Sequence, residues 1–305
     1  TQACSSWVEF NVSTPNFTVD TTAPSAPGEG TTDSPTNSTS QVWVWSAASD
    51  AVSGVASYIW RVLNQALEVV DSGTTGLLTV TTNLTESIYQ FFVKAVDVAG
   101  NEGSESQGSV TVDTTPPTVS LTALVPDPNN DNTPTLTGSA DGGITSLTVI
   151  EFQLNGVGAW ESCIATDGAI DEALETFACT TEDLADGDYT MYVRATDAAG
   201  NTTEVDNYAQ DSFTIDTTIP TVSISPILPD PTTDTTPTVL GVATDIDGLV
   251  ANVLFRVDSG AWANCTADDG AYDSPSEQFT CSMSTLSEGE HTVEVKAVDD
   301  AANES

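Results

Sequence analysis

Phe91-Phe92-Val93-Lys94-Ala95-Val96-Asp97-Val98-Ala99-Gly100-Asn101 recurs as Met191-Tyr192-Val193-Arg194-Ala195-Thr196-Asp197-Ala198-Ala199-Gly200-Asn201. It recurs again as Val293-Glu294-Val295-Lys296-Ala297-Val298-Asp299-Asp300-Ala301-Ala302-Asn303. The shared Asp is spaced 100 and then 102 residues apart, from 97 to 197 to 299. A period of that size belongs to tandem domains, not to a short-repeat solenoid. Within each copy the residues alternate, Val193 and Ala195 on one face and Tyr192, Arg194 and Thr196 on the other. A period of two is a half-buried strand, and Ala-Gly-Asn supplies the tight turn after it.

Working outward, Val19-Asp20-Thr21-Thr22-Ala23-Pro24, Val112-Asp113-Thr114-Thr115-Pro116-Pro117 and Ile215-Asp216-Thr217-Thr218-Ile219-Pro220 each follow a short apolar strand and end in proline, which cannot donate to a ladder. These phrases divide the chain into modules at 23–115, 116–218 and 219–305, with a leading segment at 1–22. The later modules share Thr118-Val119-Ser120-Leu121 with Thr221-Val222-Ser223-Ile224, then Thr135-Leu136-Thr137-Gly138 with Thr238-Val239-Leu240-Gly241. About seven short strands per module, with no helical periodicity, predict an all-β chain of antiparallel sandwiches. The first module, with Trp43-Val44-Trp45, is closer to a fibronectin-like variant.

Lys and Arg number 5 against 45 Asp and Glu, a formal charge of −40. A nucleic-acid partner is excluded, because neutralising phosphate needs a basic surface. Membrane insertion is excluded as well, since no apolar run approaches the ~20 residues of a spanning helix. The few cations recur in register: Lys94, Arg194 and Lys296 at one strand position, Arg61 and Arg256 at another, where the middle copy has Gln153. Cross-strand pairing with carboxylates accounts for them.

The combined phrases V-D-T-T-x-P, T-P-T-L-x-G, L-x-D-G-x-Y and V-x-A-x-D-x-A-G-N resemble bacterial immunoglobulin-like repeats of large surface adhesins and biofilm proteins. The resemblance covers nearly everything from Phe17 onward, the first module less well. It implies tandem Ig-like (fibronectin-like) sandwiches in an elongated extracellular rod, a structural and non-catalytic subunit of a surface filament or stalk, often stiffened by calcium. A module binding a glycan or a host protein is the alternative, and an excerpt of a giant tandem-repeat adhesin another. A carboxylate-based hydrolase is the third class. Residue type permits it, but catalytic sites are rarely triplicated in step with a fold.

Cys163 and Cys179 are 16 residues apart, as are Cys265 and Cys281, which predicts one local disulfide in each later module and an oxidising compartment. Zinc is the weaker reading, without CxxC spacing or a spare histidine. Cys4 has no evident partner. The single histidine, His291, aligns with Tyr89 and Tyr189 at the corner entering the repeated strand, where a ring hydrogen-bonds nearby backbone. It leaves no general base for a Ser or Cys nucleophile. Seven N-x-S/T sequons, at Asn11, Asn16, Asn37, Asn83, Asn201, Asn264 and Asn303, permit glycosylation and say little else.

Two expectations concern the module ends. In such a sandwich the repeated turn, the incoming linker and an early interstrand loop share one pole. That gathers Asp20, Asp50, Asp97 and Asn101; then Asp113, Asp141, Asp197 and Asn201; then Asp216, Asp245, Asp299 and Asn303. These are oxygen ligands suited to structural calcium, unless the residues are simply turn formers. Second, Asn16-Phe17-Thr18-Val19-Asp20 matches the closing strands Ser109–Asp113 and Ser212–Asp216, and the third module reads as lacking such a strand. Either the chain is an excerpt of a longer array, or residues 1–20 of one copy complete the third module of the next, head to tail, as a polymerisation strand.

Overall fold

A computed structural model describes residues 16–305. The calls on Cys4, on Asn11 and on residues 1–15 of the leading segment lie outside them. The chain divides into two compact units, one ending at Thr114 and one running from Thr115 to Ser305.

The first unit contains β1 (Ser40–Val44), β2 (Val55–Leu63), β3 (Val69–Thr75), β4 (Thr79–Asn83), β5 (Ser87–Asp97) and β6 (Ser106–Val112). Strands β3-β2-β5-β6 form one antiparallel sheet, and β1 pairs with β4 in a second. The repeated phrase is the second half of β5, buried at every other residue from Tyr89 to Asp97. Its Phe91 sits at the centre of an aromatic core with Trp43, Trp45 and Trp60.

The second unit holds two sandwiches. The first has β7 (Thr118–Leu121), β8 (Thr135–Asp141), β9 (Leu147–Leu154), β10 (Glu161–Ser162), β11 (Ile164–Ala165), β12 (Leu174–Thr180), β13 (Gly187–Asp197) and β14 (Ala209–Ile215). Its sheets run β10-β9-β13-β14 and β11-β12-β8-β7. The second repeats this with β15 (Thr221–Ile224), β16 (Thr238–Thr244), β17 (Val250–Val257), β18 (Ala263–Asn264), β19 (Thr266–Ala267), β20 (Ser276–Ser282) and β21 (Val293–Asp299). Here one sheet is β15-β16-β20-β19 and the other β18-β17-β21. The only helical turn among the described residues is a 3₁₀ turn at Val205–Asn207.

All five cations are paired: Arg61 with Glu105, Lys94 with Glu102, Arg194 with Glu151, Arg256 with Glu294 and Lys296 with Glu304. Most pairs are partly solvated, so each contributes little to stability, but no basic patch is left open. The His291 ring takes the corner role expected of it. Its Nε2 meets the Ser287 carbonyl at 2.9 Å, as Tyr189 Oη donates to the Ala185 carbonyl at 2.9 Å.

Disulfides join Cys163 to Cys179 and Cys265 to Cys281, tying each small β-hairpin into the core beside Phe177 and Phe279. Replacing Cys163 and Cys179 together by alanine should cost ~3 kcal/mol, the chain-entropy value for a loop of that length. Urea unfolding of the variant checks this, and a loss under ~1 kcal/mol would show the staple to be dispensable.

Candidate functional site

The poles of the sandwiches carry the densest unexplained chemistry. In the last sandwich β21 ends at Asp299, whose Oδ1 accepts the Asn303 amide at 2.7 Å. The Asn303 side chain then donates to the Asp216 carbonyl at 2.9 Å, pinning the incoming linker. Asp245 follows β16 and caps its own loop, with Oδ1 accepting the amides of Asp247 at 3.1 Å and Gly248 at 3.2 Å. Asp216 Oδ1 accepts the Thr218 amide at 3.0 Å.

Each of these carboxylates thereby spends one oxygen on its own turn. The other oxygens, Oδ2 of Asp216, Asp245 and Asp299, are buried without a hydrogen-bond partner. The residues are 0%, 5% and 2% exposed, and one oxygen from each lies within 4.8 Å of the others. Burial pushes the Asp216 carboxyl up to about 6, helped by the charges of Asp245 and Asp299. Asp299 is raised as well, again chiefly by burial. Oxygens gathered this way, with buried carboxylate atoms lacking a donor, could hold a hard cation, which is bound through carboxylate oxygens. The chain also leaves room: a Cβ on Gly248 would come within 2.4 Å of Asp216 Oδ2.

The first unit brings Asp20, Asp50 and Asp97 together in the same way, but its oxygens are better satisfied. Asp50 Oδ1 accepts three amides, from Val52, Ser53 and Gly54, and the Gly54 bond in particular lowers its carboxyl below the usual range. Asp97 accepts from both the Asn101 amide and the Asn101 side chain, each at 2.8 Å. Burial is the largest single influence on Asp97 and pushes upward, yet these donors together hold it low. Asn101 also reaches the Asp20 carbonyl at 3.2 Å, and Asp20 Oδ2 is buried without a partner.

The middle set is corrected by register. Ala140 pairs with Glu175 and Ala243 with Glu277, so Asp141 corresponds to Thr244 and Gly142 to Asp245. Asp141 is exposed at the end of β8, accepting the Gly143 amide at 2.9 Å. One residue of slip turns a strand residue to the opposite face. A side chain at Gly142 would meet the Thr145 carbonyl at 2.7 Å. Asp197 and Asn201 keep the usual clasp, at 2.9 and 2.8 Å, and Asp113 is buried after β6, its amide donating to the Thr36 carbonyl at 2.9 Å.

Glu175 and Glu277 were not anticipated. Both are buried, and each Oε1 accepts two loop amides, from Asp171 and Glu172 at 2.8 Å and from Asp273 and Ser274 at 3.0 and 2.7 Å. They share strand parity with Phe177 and Cys179, and with Phe279 and Cys281, a signal readable in the sequence.

The model of the bacterial Ig-like domain family matches residues 11–114 and 128–217. The chain belongs to that family. Among curated proteins this bacterial Ig-like chain is similar to chitinase A1 of Niallia circulans, 34% identical over 208 residues, which are 67% of the chain and 28% of the relative. It thus spans under a third of the length of that relative. Among solved structures it is similar to the fibronectin(III)-like modules of Clostridium thermocellum CbhA, 17% identical, TM-score 0.33, covering 61% of the chain and 93% of the modules. It is also similar to a Streptomyces avermitilis alpha-L-rhamnosidase, 9% identical, TM-score 0.25, covering 92% of the chain and 40% of the enzyme. Ig-like modules and two disulfides are those of a modular secreted or surface protein. No helix among the described residues is long and apolar enough to cross a membrane.

A pH effect follows for the calcium-free, bacterial Ig-like second unit. Burial holds the Asp216 carboxyl at about 6 in the folded state, above the ordinary carboxylate range, so the folded state holds its proton more tightly than the unfolded chain. That contribution is full below pH ~4 and is lost as pH rises through ~6. In chelator, the melting temperature of the unit should therefore fall between pH 5 and 7 more steeply in the parent than in Asp216→Asn. Equal slopes would refute the assignment.

Proposed function

We propose that the chain is a structural, non-catalytic part of an extracellular stalk or filament, its module ends stiffened by calcium. The observation carrying this is the convergence of Asp216, Asp245 and Asp299 with three partnerless buried oxygens. A hard dication prefers such oxygens, and calcium's tolerance of 6–8 ligands suits carboxylates drawn from separate segments. Asp20, Asp50 and Asp97 form the second site. Bound there, the ion would cancel the mutual repulsion of three carboxylates and tie a linker to two loops. The acidic poles occur in two of the sandwiches, and the lone histidine serves its corner, which supports a structural role over a catalytic one.

The chitinase relative raises the rival reading, a glycan- or host-protein-binding adhesin module. It has less support. The Trp160 and Trp262 rings, natural platforms for a sugar, are covered by the Arg194 and Arg256 guanidinium groups at 4.1 and 4.6 Å.

Calorimetric titration of chelator-treated chain with calcium tests the proposal. Two ions per chain are expected, falling to one in Asp245→Ala. No binding heat at millimolar calcium, with an unchanged maximum dimension in small-angle scattering, would overturn it.

A further inference from the structure

We propose that Gly248 and Asp300 make the acidic pole of the last sandwich a tighter calcium site than the pole of the first unit, so that the two fill in succession as calcium rises. This rests on the calcium reading above and adds the order of filling and the residues that set it.

The poles can be aligned by one backbone bond made just after each repeated Asp. The Val98 amide donates to the Gly54 carbonyl at 3.0 Å, the Ala198 amide to Ser146 at 2.8 Å and the Asp300 amide to Leu249 at 3.0 Å. Gly54, Ser146 and Leu249 are therefore equivalent, and so are the residues before them, Ser53, Thr145 and Gly248. Two positions change together along the chain: Ser53 with Val98, Thr145 with Ala198, and Gly248 with Asp300. The middle sandwich, which has Gly142 in place of Asp50 and Asp245, gathers no acidic cluster of its own among the described residues.

In the last sandwich glycine leaves an opening, and Asp300 turns a fourth carboxylate toward it. A Cβ on Gly248 would lie 2.4 Å from Asp216 Oδ2 and 2.7 Å from Asp300 Oδ1, so both oxygens border the space that the missing side chain leaves. Asp300 Oδ1 is held there by the Leu249 amide, which it accepts at 2.9 Å. The Oδ2 atoms of Asp216, Asp245 and Asp299 have no donor at all. Asn303 does not satisfy them, because its side chain is drawn to the Asp216 carbonyl at 2.9 Å.

The first unit is built differently at each of these points. Ser53 carries a side chain where Gly248 has none, and its hydroxyl is buried without a partner, so it offers an ion a neutral oxygen. Val98, in the place of Asp300, is 70% exposed and offers none. The Asn101 side chain donates to Asp97 Oδ2 at 2.8 Å, a bond with which an ion on that oxygen has to compete. Ligand charge and rigidity set the affinity of calcium sites, and here charge separates the two poles. A dication relieves more repulsion among four carboxylates than among three that amides and an asparagine already serve.

Between the two affinities, the linker entering the last sandwich would be tied while the first unit stays unloaded. Calorimetric titration of the chelator-treated full chain with calcium tests this. Two steps are expected, separated by roughly tenfold or more in dissociation constant. Asp300→Asn, which keeps an oxygen for the Leu249 amide, should weaken the tighter step by about tenfold and leave the other in place. Asp50→Asn should weaken only the second step, and Val98→Asp, at an exposed side chain, should tighten it. Steps that coincide, a tighter step that responds to Asp50→Asn instead, or an Asp300→Asn or Val98→Asp titration that matches the parent would each overturn the proposal. In all of these the ions still bind and the calcium reading stands, whereas an absence of binding heat at millimolar calcium removes both.

Discussion

Replacing Phe91 by alanine should destabilise the first unit by about 3–5 kcal/mol, the usual range for truncating a buried Phe. The ring is fully buried and stacks on Trp43 with centroids 4.5 Å apart, with Trp45 at 5.7 Å and Trp60 at 6.3 Å. Aromatic packing of this kind adds to the area term. Gly30 passes so close that a Cβ there would lie 2.4 Å from the Phe91 ring, so the stretch before β1 leans on it as well. Urea unfolding followed by tryptophan fluorescence reads the loss where the three indoles are. A change below ~1 kcal/mol would mean the cavity collapses and the cluster is not the organising core.

The second large effect reverses sign with calcium. In chelator, Asp245→Asn should raise the melting temperature of the second unit, because it removes one of three buried charges while Oδ1 remains to accept the Asp247 and Gly248 amides. In calcium the same variant should melt below the parent. An ion at a hundredfold excess over its dissociation constant stabilises by about 2.7 kcal/mol, and the amide offers it a weaker, uncharged oxygen. A variant that shifts the transition in the same direction under both conditions would identify Asp245 as a turn former with no ion to hold.

Much of this was legible in the chain. The repeated phrase became β5, β13 and β21 because alternation is a local property, and equal cysteine spacing in two modules sufficed for the disulfides. The Asp141 assignment failed for a nonlocal reason. Which residue of the loop after β8 faces inward is decided by the pairing of Ala140 with Glu175, about thirty-five residues away, and counting from the linker cannot see that. Asp216, Asp245 and Asp299 could be nominated by spacing, but their partnerless oxygens could not. Burial and convergence belong to the folded chain alone. Glu175 and Glu277 were readable by parity and overlooked because glutamate is seldom an inward residue.

The disulfides also set how the chain yields under tension. When a protein is pulled from its ends, an unfolding module lengthens by its residue count times ~3.4 Å, but residues enclosed by a covalent loop carry no load. Each bridge encloses a span of 16 residues, so the two stapled modules each release roughly 50 Å less thread than their length would allow. The bridge also holds the hairpin and β12 or β20 together after the ladders have parted. The first unit has no such bridge among its described residues, so the modules of the chain would give way by unequal steps: one long extension from the aromatic core, two shortened ones from the stapled sandwiches, and full-length steps everywhere once a reductant has opened the sulfurs.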